Sequence, residues 1–107
     1  MIKTVIDFKR QITGNTGVLF YFATQSCSVG EALEPKVRNL LIQKYPKLVF
    51  RSIDMNMASE LSASLNVFTE PTILVFFEGK EFLRKSRHIN LAELDMAVCR
   101  IYELAFE

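Results

Sequence analysis

From Val18 to Ala23 the chain reads Val-Leu-Phe-Tyr-Phe-Ala, without a polar break. Such a run predicts a central strand buried on both faces. Before it, Thr4 and Asp7 are spaced to open a helix with Val5, Phe8 and Ile12 on one side, and Thr13-Gly14-Asn15-Thr16-Gly17 ends it. After it, Ser28 and Glu31 have the spacing of a capping box. From there Leu33, Val37, Leu40, Leu41 and Tyr45 keep a helical stripe until Pro46, and Pro35 inside that stripe predicts a kink. Lys47 to Asp54 reads as a second strand, parallel to the first across a right-handed βαβ crossover.

A short helix is expected within Met55–Asn66, with Ala58, Leu61 and Leu65 inward and Met55 and Met57 filling core and rim. Val67 to Glu70 is a loop that meets Pro71. Thr72 to Phe77 is a third strand, again wholly apolar past its first residue, and 78–80 turns tightly into a charged antiparallel edge strand, Glu81 to Lys85. Asn90 and Glu93 cap a last helix striped by Leu91, Leu94, Val98, Ile101 and Ala105. Cys99 falls at the border of that stripe, a position for a buried structural thiol near Tyr102 and Phe106. The expected class is α/β: a mixed sheet of four or five strands with helices on both faces, forming a single domain over residues 1–107.

Composition narrows the function. Of 107 residues half are hydrophobic, nine are Phe, and the net charge is +1 with acids and bases interspersed. That excludes disorder and gives no basis for binding nucleic acid or an anionic membrane. The start of the chain lacks a signal peptide's apolar block, and the run 72–77 is too short to span a bilayer. Two cysteines in such a chain point to a reducing, cytoplasmic setting without a disulfide scaffold.

Candidate chemistry centres on Cys27, between the end of the first strand and the start of the long helix. Unpaired N–H groups and the positive end of the helix dipole favour a thiolate there. Glu70 opposes this, since a nearby carboxylate raises a thiol's pKa; the dipole is expected to prevail, with Glu70 turned to solvent. His88 in its loop is most simply incidental. No nucleophile elbow, phosphate-cradling glycine loop or metal-ligand spacing is present in the sequence, and no cofactor is expected.

In element order and in three local matches the chain resembles the thioredoxin family. The apolar strand runs through Ala23-Thr24-Gln25-Ser26 to Cys27, as the family's strand runs to its first active-site cysteine. Pro35, eight residues on, is similar to the helix-kinking proline. Pro71-Thr72 resembles the cis-Pro-Thr pair that faces the active site, and Asp54 ends the second strand as in the family. The resemblance implies the thioredoxin fold, a cis Glu70–Pro71 bond, and a groove between the Cys27 turn and the Pro71 loop that receives an extended peptide. It also implies that the last helix lies on the face of the sheet opposite the long helix, with the sheet keeping Cys99 from Cys27.

The departures bear on function. Where the family has Trp-Cys-Gly-Pro-Cys, this chain has Ser26-Cys27-Ser28-Val29-Gly30. Gly30 replaces the resolving cysteine, Tyr21 replaces the buried aspartate that serves it, and Ser26 replaces the substrate-contacting Trp. Arg87 or a neighbour replaces a loop glycine, and Glu70 stands where an apolar residue is common. Two readings follow. One is monothiol thiol–disulfide exchange, reducing or deglutathionylating partners through Cys27 with an external thiol to complete the cycle. The other is a redox-inert module that binds a partner chain in the groove. The site residues are then Cys27 with Ser26, Ser28, Val29, Gly30, Glu70, Pro71 and Arg87. Partners are protein thiols or disulfides, an extended peptide segment, or a low-molecular-weight thiol whose carboxylate Arg87 and Lys85 would hold.

Overall fold

The computed structural model describes residues 1–24 and 28–106, and for residues 28–32 the backbone without the side chains. Its elements are α1 (Val5–Gly14), β1 (Gly17–Ala23), α2 (Ser28–Lys44), β2 (Val49–Asp54), α3 (Ser59–Ser64), β3 (Thr72–Phe77), β4 (Lys80–Ser86) and α4 (Leu91–Phe106). Local signals set most of these ends. Thr4 caps α1 with a complete capping box: its hydroxyl accepts from the Asp7 N–H, and Asp7 accepts from the Thr4 N–H. Asn90 accepts from the Glu93 N–H at 3.1 Å to begin α4. Helix α2 continues through Pro35 to Lys44. The Ser28–Glu31 capping box lies outside the described side chains.

The sheet has the order β2-β1-β3-β4, with β1 parallel to β2 and antiparallel to β3, and β4 antiparallel to β3. β1 and β3, the two unbroken apolar runs, are the inner strands, as continuous hydrophobicity requires of strands covered on both faces. Alternate residues then divide between two cores. Val18, Phe20, Phe22, Leu74 and Phe76 meet Phe8 of α1 and Leu61 of α3 on one face. Leu19, Tyr21, Ile73, Val75 and Phe77 meet Val37 and Leu41 of α2 together with Leu94 and Val98 of α4 on the other.

This corrects the expected layering, because α2 and α4 cover the same face. Both faces of β1 and β3 are equally apolar, so the stripe of α4 carries no information about which it will cover. A polar latch joins the two helices. Lys44 Nζ donates to Asp95 Oδ2 at 2.7 Å, and the Tyr45 hydroxyl bonds the Asp95 carboxylate and backbone carbonyl. The Lys44 ammonium and then the Tyr45 hydroxyl hold the Asp95 carboxyl below the usual carboxylate range. Burial and then the Asp95 hydrogen bond push the Tyr45 hydroxyl upward.

Cys99 is also corrected. It is half-exposed rather than buried, with its thiol 3.5 Å from Glu103 Oε1. It lies beside Lys44 and Asp95, at the carboxyl end of α2. Ser28 and Lys44, the two ends of α2, are about 24 Å apart along the helix at 1.5 Å per residue, so Cys99 stands at the end of α2 remote from Ser28. Among the described residues no helix is long and apolar enough to cross a membrane.

Candidate groove beside the cis-proline

One end of the sheet gathers the ends of β1, β3 and β4. Phe22 pairs with Thr72, and Thr72 with Ser86, so Thr24, Pro71 and Arg87 each stand one or two residues past that row. The Glu70–Pro71 peptide bond is cis, and Pro71 is buried. The Thr72 hydroxyl donates to the Thr69 carbonyl at 2.7 Å and lies 3.2 Å from the Ser86 hydroxyl. These contacts tie the loop before Pro71 to the strand that follows it and to the end of β4. The Arg87 N–H donates to the Pro71 carbonyl at 2.9 Å, which joins the loop after β4 to the same point.

Arg87 has φ +63°, in the left-handed region that favours glycine. The side chain is exposed.

Glu70 does not turn to solvent. Its carboxylate is half-buried and reaches across to the end of β1, where Oε2 accepts from the Thr24 N–H at 2.5 Å and Oε1 from the Thr24 hydroxyl at 3.1 Å. This clamp was invisible in the sequence, because its partners lie 46 residues apart and neither belongs to a local motif. It ties the loop before Pro71 to the end of β1.

Cys27 and Ser26 lie outside the described residues, as do the side chains of Ser28, Val29 and Gly30's neighbours through residue 32. The backbone shows α2 beginning at Ser28, the residue bonded to Cys27. Tyr21, where the family carries a buried acid, is fully buried and stacked on Phe50 at 6.2 Å, and the Arg38 guanidinium lies 4.8 Å from the centroid of the Phe50 ring. Asp54 closes β2 by receiving the Asn56 N–H at 2.9 Å. Lys85 and His88 share the end of β4 and its loop with Arg87. Among the described residues no three His, Cys, Asp or Glu side chains converge as a metal site.

Comparison with known proteins agrees with this geometry. The thioredoxin family model matches residues 1–98. The chain is 30% identical over 103 residues to the thioredoxin-like protein YdfQ of Bacillus subtilis, covering 96% of this chain and 91% of that one. It superposes on the thioredoxin of Fasciola hepatica with a TM-score of 0.81 at 27% identity, covering 91% of this chain and 93% of the other. Mitochondrial thioredoxin 3 of Saccharomyces cerevisiae, in its oxidised form, gives the same TM-score at 19% identity and 92% coverage of both chains. The chain belongs to the thioredoxin family. Family and fold together support a redox thiol–disulfide protein.

Proposed function

We propose that the protein performs thiol–disulfide exchange with a single nucleophile, Cys27, on partner polypeptides laid in the groove beside Pro71. The observation that carries this reading is the start of α2 at Ser28, next to Cys27 in the chain. A helix amino terminus favours an anion, and the thiolate is the form that attacks. The Cys27 thiolate attacks one sulfur of a partner's disulfide, a new S–S bond forms, and the other sulfur leaves as a thiolate. With Gly30 in place of a second cysteine, release needs an external low-molecular-weight thiol. Its thiolate attacks the partner sulfur of the mixed disulfide, carries it off as a new disulfide, and returns Cys27 as thiolate.

A redox-inert peptide-binding role is the second reading. It is favoured by the Glu70 carboxylate held at Thr24, which disfavours a second negative charge nearby, and by buried Tyr21 in place of an acid. Incubation of the reduced protein with a peptide mixed disulfide, followed by mass spectrometry, separates the two. The exchange reading expects an adduct on Cys27 that is lost in Cys27→Ser and cleared by an added small thiol. An unmodified Cys27 after prolonged incubation would leave the binding module.

A further inference from the structure

Near its carboxyl end α4 lines a cavity of about 270 Å³ together with the β3–β4 hairpin. Ile101, Leu104 and Ala105 come from the helix, Phe77 and Phe82 from the strands. Two of these side chains open to water, Leu104 at 88% exposure and Phe82 at 55%. Phe82 is the residue that the β3–β4 pairing skips, since Leu83 faces Val75 and Glu81 faces Phe76, and it lies edge-on to Phe77 at 6.2 Å. A bulge in an edge strand hinders the addition of a further strand. The surface is therefore offered through its side chains rather than its backbone.

Single exposed apolar residues are ordinary, but two large ones opening onto one cavity form a patch that marks an interaction site. Two features of the patch select a second copy of the chain as what covers it. The first is shape. A twofold interface repeats one surface, so a projection and the hollow that receives it must lie on the same patch. Leu104 projects at the lip of the cavity, so a twofold axis through the patch lets each Leu104 enter the hollow of the other copy. The second is charge. Glu78 and Lys80 also line the cavity, one on each side of Gly79 in the chain. Neither side chain has a hydrogen bond or ion pair among the described residues. The same rotation lets Glu78 of each copy meet Lys80 of the other, whereas a partner of one charge would satisfy one of them and oppose its neighbour.

We propose that the patch at the end of α4 is the interface of a symmetric homodimer, in which Leu104 and Phe82 are buried and Glu78 pairs with Lys80 of the second copy. The hairpin turn lies at the opposite end of the strands from Thr72 and Ser86, so the end that carries Pro71 and Arg87 stays open in the dimer.

Sedimentation equilibrium from about 1 µM to about 1 mM protein covers weak association. The mass should climb from that of one chain to that of two and stop there. Leu104→Lys, and Phe82→Ser in a separate protein, should each weaken the dimer about tenfold or more, because a twofold interface contains every substitution twice. Leu104 is exposed in the single chain, and an unchanged urea midpoint of Leu104→Lys at low concentration checks that the fold is kept. At low salt Lys80→Glu should weaken the dimer about two- to fivefold by facing Glu78 with a like charge. Glu78→Lys added to it should restore the parent affinity by inverting both pairs. A parent that stays single at about 1 mM overturns the proposal and leaves the patch to a different polypeptide. A dimer indifferent to Leu104→Lys places the contact elsewhere and also overturns it. Growth past two copies, or a charge reversal that the second substitution does not restore, overturns the twofold arrangement.

Discussion

Replacing Glu70 by Ala removes the clamp between the loop before Pro71 and the end of β1. Two hydrogen bonds disappear, the Thr24 N–H to Oε2 at 2.5 Å and the Thr24 hydroxyl to Oε1 at 3.1 Å. Hydrogen bonds to a charged group contribute roughly 1.5–3 kcal/mol each where they are shielded. Both residues are half-buried, so water can reach the freed donors and the lower part of that range applies, giving about 2 kcal/mol for the pair. For a chain of this size that is a fall in Tm of about 8 °C. Glu70→Gln keeps an oxygen for the Thr24 N–H and an amide facing the hydroxyl but loses the charge, and should cost about 1 kcal/mol. Urea unfolding at pH 7, with the slope unchanged across the three proteins, should therefore rank parent above Gln above Ala. Hydrogen exchange at the Thr24 amide should accelerate in the Ala variant. An Ala variant within about 0.5 kcal/mol of the parent, or a Gln variant less stable than Ala, would refute the clamp.

Two further outcomes follow from the packing. A Cβ at Gly17 would lie 2.7 Å from Phe77 Cε1 and 3.0 Å from Leu48 Cδ1, so Gly17→Ala should destabilise by about 1–3 kcal/mol in the same assay. Asp95 has its folded pKa depressed by Lys44 and then Tyr45, so its contribution is complete above the unfolded carboxylate value and is lost as pH falls through the folded one. The stability difference between the parent and Asp95→Asn should hold at neutral pH and shrink below about pH 4; a difference that grows on acidification would contradict the latch.

Much of the fold was legible because its signals are local. Thr4 with Asp7, Asn90 with Glu93 and the turn at 78–80 set element ends through neighbours within a few residues. The unbroken apolar runs 18–23 and 72–77 marked the inner strands, since only a strand covered on both faces has no need of polar positions. Cys27, Pro71 and the order of elements around them were sufficient to place the chain beside the thioredoxins.

What the sequence by itself left open turns on contacts between distant residues. The same all-apolar character that identified β1 and β3 erased any distinction between their two faces, so only the packed structure puts α4 beside α2 and joins them through Lys44, Tyr45 and Asp95. The thiol of Cys99 followed its helix to that face and emerged half-exposed. Glu70 is expected from sequence to turn to solvent, and its partner, Thr24, stands next to it only because β1 and β3 pair antiparallel. Arg87 was one of several bases near a strand end until its N–H was found on the Pro71 carbonyl. Local periodicity specifies elements because it acts within one turn or one pleat, whereas the contacts of Thr24, Glu70, Pro71 and Arg87 form where three strand ends meet, and that meeting exists only in the folded chain.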